Sequence, residues 1–279
     1  MTPREFTLTP AYDRVVVTGG GPGIGRSVAL AIAATGTGVY VLGRRVARLE
    51  ETVKRGAGLP GKIVPVTCDI RDAETVAAAF RTIEEDGGPA QLLYHAAAAA
   101  YGSLAEDITP EGFAHVVQSS LVGAFHVIHR WAEPLIGAGL PGACVAVTSA
   151  LASRETPGVA HSSASKAGVE GFIRSAAREW GRYGIRLNTI GPGPFPSEGT
   201  NELWDQGGIR ARMESTTALG RLGTEAEIVG PSLFLLSDAA RYVTGVSIPV
   251  DGGLRLTQWT VHSPAESVSP QDRRAVPSP

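Results

Sequence analysis

The chain is 279 residues long, 43% hydrophobic and 19% charged, with a formal net charge of −2. That length and apolar content support one substantial core and exclude a disordered chain, and the near-zero charge gives no bulk attraction to nucleic acid or an anionic membrane. The two cysteines, Cys68 and Cys144, follow no metal or redox spacing, so they exclude a disulfide framework and read as small core residues of a protein in a reducing compartment.

The first fourteen residues are mixed and polar, with no apolar stretch of the length a secretion signal needs. No run of about 18 apolar residues occurs, so no membrane span is expected and the protein reads as cytoplasmic. Residues 1–13 form an N-terminal extension. Short β-branched runs then alternate with helical patterns. Arg14–Thr18 (RVVVT) is the first strand, followed by an Ala-rich helix over 24–35. The strand series continues at 39–42 (VYVL), 63–66 (IVPV), 92–94, 143–147 (ACVAV), 186–189 and 246–250. Strands separated by helices of this length imply right-handed βαβ units. The expected fold is therefore α/β, a doubly wound parallel sheet of Rossmann type in three α/β/α layers, as a single domain over 14–257. Residues 191–196 (GPGPFP) read as a rigid loop leading into a lid at 197–215, and 258–279 as a flexible tail without assigned function.

Between the first strand and first helix lies 18–25 (TGGGPGIG). Glycines at this junction let the backbone turn tightly and bring a pyrophosphate to a helix N-terminus, which points to Gly19, Gly23, Ile24 and Gly25 as a dinucleotide site. After the second strand come Arg44 and Arg45. An acidic residue there would bind a ribose 2′-hydroxyl, whereas arginine pairs with a 2′-phosphate, so Arg44 favours NADP(H). The alternative is that both arginines are a solvated helix start. Arg26 is a less specific helper. Asp69 and Ile70, after the third strand, stand where a carboxylate and an apolar side chain meet an adenine. No metal site is expected.

Together with Ser149, Lys166, Arg186-Leu187-Asn188 leading to Pro192-Gly193, Thr244-Gly245 and Asp251-Gly252-Gly253, these residues resemble the short-chain dehydrogenase/reductase superfamily over about 15–253. The resemblance implies a homo-oligomer, a dimer or tetramer. It also implies that Lys166 holds the nicotinamide ribose, that Ser149 hydrogen-bonds the substrate oxygen, and that Pro192 and Gly193 border the cofactor. The family's acid is a tyrosine four residues before the lysine, and here that position is Ser162. The family's helical asparagine falls at Ser120, and its Asn-Asn-Ala-Gly segment is His95-Ala96-Ala97-Ala98. A serine hydroxyl is far too weak an acid to replace a phenol of pKa near 10 that an adjacent ammonium tunes downward.

The dienoyl-CoA reductase branch also lacks that tyrosine, and residues 159–181 and 192–200 resemble it. Its substitute acids would fall at Leu151 and Ser120, neither of which is acidic. The proton then comes through water or from His161, the remaining side-chain acid, whose own alternative is a helix-start residue making ordinary hydrogen bonds. His95 reads as structural. Tyr101, Leu151 and Trp204 line the substrate space, and Ser119 and Ser120 are expected to bond within their own helix. The leading reading is an NADPH-dependent oxidoreductase of a small molecule, of the enoyl-reductase kind acting on a conjugated carbonyl or thioester. Two alternatives remain: a repurposed enzyme catalysing a non-redox cyclisation, isomerisation or dehydration, and a catalytically silent nucleotide-binding subunit.

Overall fold

A computed structural model describes residues 8–150, 152, 157–196 and 208–256. The seven apolar runs form strands β1 (Arg14–Thr18), β2 (Gly38–Gly43), β3 (Ile63–Thr67), β4 (Leu92–His95), β5 (Gly142–Val147), β6 (Ile185–Pro192) and β7 (Ser247–Val250). All pair in parallel in one sheet, in the order β3-β2-β1-β4-β5-β6-β7. Between them run α1 (Ile24–Ala34), α2 (Val46–Arg55), α3 (Ala73–Glu85), α4 (Pro110–Val117), α5 (Gly123–Ala138), α6 (Ala160–Trp180), α7 (Ile209–Thr216) and α8 (Val229–Leu236). The described part of the expected lid is thus the helix α7. Leu151, Trp204, residues 197–207 and the tail 258–279 lie outside the described residues.

Successive strand residues face opposite sides of the sheet. Val16, Leu93, Cys144, Ala146 and Leu187 pack with α3, α5 and α6, and Val15, Val17, Tyr94 and Val145 pack with α1 and α8. Helices therefore cover both faces, which is why the strands read as continuous apolar runs rather than as alternating ones. Each fully buried aliphatic side chain contributes roughly 1.5–3 kcal/mol. Cys68 and Cys144 belong to this core, and burial pushes the Cys68 thiol up to about 11, outside the reactive range.

The expected rigid loop beginning at residue 191 is partly a strand. β6 continues through Gly191 and Pro192, which pair with Pro249 and Val250. Beyond Ile190 the neighbouring β5 has ended, so Pro192 only has to give its carbonyl, which accepts from Ala150 N–H at 3.0 Å. The signature residues Arg186 and Asn188 serve the framework. Arg186 donates to the carbonyls of Val243, Leu235 and Ser237, and Asn188 bonds Val243 O and Val246 N–H, which locks β6 to the turn before β7. The order of strands reverses direction between β1 and β4, and a crevice opens there at the carboxyl edge of the sheet.

Candidate active site

From β1 the chain must cross that edge and enter α1 within residues 19–23. Gly19 has φ +68°, and a Cβ on it would lie 2.8 Å from Ala97 N. A Cβ on Gly25 would lie 2.2 Å from the carbonyl oxygen of Gly19. The loop closes on itself only because these positions carry hydrogen. Gly23 precedes Ile24, the half-buried first residue of α1, and that helix has no side-chain cap and no acidic residue in its first turn. Its free N–H groups and positive dipole end suit a phosphate. The cradle thus fits a dinucleotide by its own geometry. Arg26 does not face a ligand: it is 3% exposed and donates through Nε to Thr52 Oγ1 at 3.0 Å, while Thr52 donates to Gly20 O at 2.7 Å. It braces the glycine loop against α2.

Beside the loop lies a cavity of about 250 Å³, bordered by Gly19, Pro22, Arg44, Asp69, Ile70 and Ala98. Arg44 is exposed at its rim and forms no ion pair with any described residue. Sequence reasoning found Arg44 but missed Arg48 and Arg71, which share this border. Arg71 holds the Asp69 carboxylate at 2.5 Å and lowers its pKa, so Asp69 meets the cavity as half of an ion pair. Ile70 is 8% exposed and packs against Gly123 of α5.

The catalytic candidates gather at the same edge, around the ends of β5 and β6. Lys166 extends from α6 and its ammonium donates to Val147 O at 2.7 Å. It is nearly buried, and desolvation brings its pKa down to about 8. Ser162 lies one helical turn earlier on the same face, half-buried. Ser149 follows β5, and the bond from Ala150 N–H to Pro192 O holds its segment beside Pro192 and Gly193. The described residues include no helix long and apolar enough to cross a membrane and no His, Cys, Asp and Glu group placed to hold a metal.

Two departures from the family pattern acquire structural roles. Ser120 sits in a π-helical turn, Gln118–Val122, between α4 and α5. Its hydroxyl donates to Ala99 O at 2.9 Å and accepts from Ala99 N–H at 3.2 Å. The expected bond within its own helix is replaced by one that pins the loop after β4. His95, the last residue of β4, contacts Thr18 Oγ1 through Nδ1 at 2.9 Å, and Thr18 also receives Ala97 N–H at 3.3 Å. This pair joins the exit of β4 to the glycine loop, the structural role expected of His95.

Burial, and secondarily the Lys166 charge, push the pKa of His95 down to about 3. The unfolded chain takes up a proton below pH 6.5 that the folded protein refuses until about pH 3, so stability falls as pH drops through that window. Between pH 7.5 and 5 this one group should remove about 2 kcal/mol. Urea unfolding at both pH values tests this: the His95→Asn variant should lose that much less than the parent, and equal losses would overturn the assignment.

His161, in the first turn of α6, is fully buried, and neither ring nitrogen has a hydrogen-bond partner. The ordinary hydrogen bonds of a helix-start histidine are therefore absent. Its ring meets Tyr101 edge-on, with centroids 4.3 Å apart and planes at 77°.

Comparison with known proteins agrees with this geometry. The family model described as Enoyl-(Acyl carrier protein) reductase matches residues 20–255. The "Probable 2,4-dienoyl-CoA reductase [(2E)-enoyl-CoA-producing]" of Bacillus subtilis is 35% identical over 247 residues, 88% of this chain and 96% of that protein. The 3-oxoacyl-[acyl-carrier-protein] reductase MabA of Mycobacterium bovis is 35% identical over 254 residues, covering 91% and 97% of the two chains. Among solved structures, a "putative 2-deoxy-d-gluconate 3-dehydrogenase" of Agrobacterium tumefaciens with bound NADP superimposes with TM-score 0.82 at 27% identity, covering 88% of this chain and 98% of that one.

Proposed function

The chain belongs to the short-chain dehydrogenase/reductase family, and from that premise we propose that it is an NADPH-dependent reductase of a conjugated carbonyl or thioester. One observation carries the choice of substrate. Lys166 and Ser149 remain at the end of the sheet, but a serine occupies the turn where a phenol would protonate a carbonyl oxygen. Conjugate addition is less demanding of acid, because the charge that develops on the carbonyl oxygen is delocalised and needs a hydrogen-bond donor before it needs a proton.

Bound NADPH supplies the hydride. Lys166, with Ile24, Gly193 and the α1 N-terminus, holds the dinucleotide, Asp69 and Ile70 flank its adenine, and Arg44 meets the 2′-phosphate. Ser149 donates to the substrate oxygen, Ser162 keeps the vacated turn polar, and His161 returns the proton. Incubation of 4-deuterated NADPH with a 2,4-dienoyl thioester should give product carrying deuterium on a former alkene carbon. Tight NADPH binding without deuterium in any product would favour the non-redox alternative instead.

Replacing Arg44 with Asp exchanges a phosphate partner for a repelling charge. NADPH affinity should fall about 10–100-fold, the worth of a charge-assisted bond, while NADH affinity changes little. Fluorescence titration with both cofactors checks this, and equal losses would remove the assignment.

The same proposal includes a cytoplasmic homo-oligomer, a dimer or tetramer, with the catalytic domain spanning 14–257. Phe125 of α5 is 45% exposed and meets Phe172 of α6 edge-on at 5.6 Å, an aromatic patch suited to a second copy. Light scattering should give a multiple of the 29.0 kDa chain mass.

A further inference from the structure

We propose that Tyr101 is a displaceable cover on His161, and that a flat conjugated acyl group takes its place, which makes Tyr101 the residue that selects unsaturated substrates. This rests on the reading of His161 as the proton-returning group. A buried imidazole with both nitrogens unbonded sacrifices hydrogen bonds that water would have given it. Such a group calls for a partner that arrives from outside the folded chain.

The geometry provides the route. His161 is 0% exposed, yet the ring lying against it belongs to Tyr101, which is 42% exposed. Tyr101 stands on the stretch between β4 and α4 that carries no regular structure until residue 105. Its far end rests on the first turn of α4. A Cβ built on Gly112 would lie 2.2 Å from the Tyr101 hydroxyl oxygen, so the phenol fits only because residue 112 has no side chain. The tyrosine ring is thus held between Gly112 and His161 by van der Waals and edge contacts that a ligand can match.

The occupant is defined by what it replaces. It must be flat to lie in the slot of an aromatic ring, apolar along that face, and must carry an acceptor for an imidazole N–H. A conjugated enone or dienoyl thioester has all three properties. A saturated acyl chain is neither flat nor rigid, and it loses more conformational freedom on entering the slot.

The test uses the ligand-free full chain and diethyl pyrocarbonate, which acylates accessible imidazoles, with each histidine followed by peptide mass spectrometry. In the parent protein His161 should react far more slowly than the exposed His115. Both Tyr101→Ala and Gly112→Ala should accelerate it by about tenfold or more, since modification follows the population of the open form, while the buried His95 stays unreactive and marks intact folding. Gly112→Ala matters because it displaces the tyrosine while leaving both Tyr101 and His161 unmutated, and it leaves the helix at least as stable. If His161 reacts like His115 in the parent, or remains protected in both variants, the cover does not exist.

Selection is read separately. With the oxidised cofactor NADP⁺ present, so that no hydride is available, a 2,4-hexadienoyl thioester should protect the uncovered His161 of Gly112→Ala better than a hexanoyl thioester, and equal protection would overturn the substrate preference. Neither labelling experiment needs turnover. A protein that shows both labelling patterns but transfers no deuterium retains the cover and loses only the reductase reading.

Discussion

Gly25→Ala is expected to abolish NADPH binding at ordinary concentrations, raising Kd by about 100-fold or more, which is about 2.7 kcal/mol. Position 25 lies inside α1, where alanine on its own would favour the helix by roughly 0.5–1 kcal/mol over glycine. The sign reverses because the new methyl would sit 2.2 Å from Gly19 O and 2.9 Å from Gly19 C. These are backbone atoms of the same loop, and no rotamer change can relieve the contact. The loop must lift off the helix, which carries Gly19 away from Ala96 and Ala97 and moves the N–H groups of α1 away from where phosphates would lie.

The variant should therefore bind poorly and melt several degrees lower, by isothermal titration and differential scanning calorimetry. Gly137→Ala is the control. It also lies within a helix, α5, but its Cβ would meet nothing within 4 Å, so it should leave binding unchanged and stability equal or slightly improved. Gly25→Ala binding NADPH within threefold of the parent would remove the phosphate site from this loop.

The contrast between these glycines shows what the sequence discloses. Gly19, Gly23 and Gly25 were legible because they fall between a β-branched run and an Ala-rich helix, so their position in the chain already implied a strand-to-helix turn. The seven strands were legible for a related reason, since burial on both faces leaves continuous apolar segments, and only their ends shifted, most at β6. Lys166 and Ser162 could be placed on one face by the four-residue spacing alone.

Other relations depend on contacts between distant segments, and local patterns carry no trace of them. Nothing around Arg26 indicates that its guanidinium turns inward to Thr52, and nothing around Ser120 points to Ala99 as its partner. Arg71 is close to Asp69 in sequence, but whether it pairs with that carboxylate or reaches solvent is decided by how the chain leaves β3. The meeting of Tyr101 and His161 joins a loop after β4 to a helix after β5, and each residue alone resembles ordinary surface or helix-start chemistry. Pocket chemistry in this fold is assembled from the ends of many elements, where sequence spacing ceases to report distance.

Lys166→Met should separate stability from activity. Burial holds the pKa of this ammonium at about 8 instead of its ordinary 10.5, so the charged form is disfavoured in the fold by about 3 kcal/mol relative to the unfolded chain. For a base with a lowered pKa, the unfolded state binds the extra proton between those two values, so parental stability should rise from about pH 8 to 10.5, with the full penalty present at pH 7. Methionine fills similar volume without charge and removes the penalty. It also forfeits the bond to Val147 O, and an unpaired buried carbonyl costs about 1–3 kcal/mol.

The two terms nearly cancel. The variant should be as stable as the parent at pH 7, or up to about 2 kcal/mol more stable, and its stability should no longer climb between pH 8 and 10.5. Deuteride transfer, by contrast, should fall by about 100- to 1,000-fold, the range for removing one preorganised electrostatic group. Urea unfolding at pH 7 and 9 and the transfer assay read these outcomes separately. A variant destabilised by more than 3 kcal/mol would mark Lys166 as a framework residue like Arg186, and one that transfers hydride at the parental rate would exclude it from the site. A charge kept nearly buried at such a penalty, with one carbonyl to hold it, is what a residue selected for chemistry rather than for packing looks like.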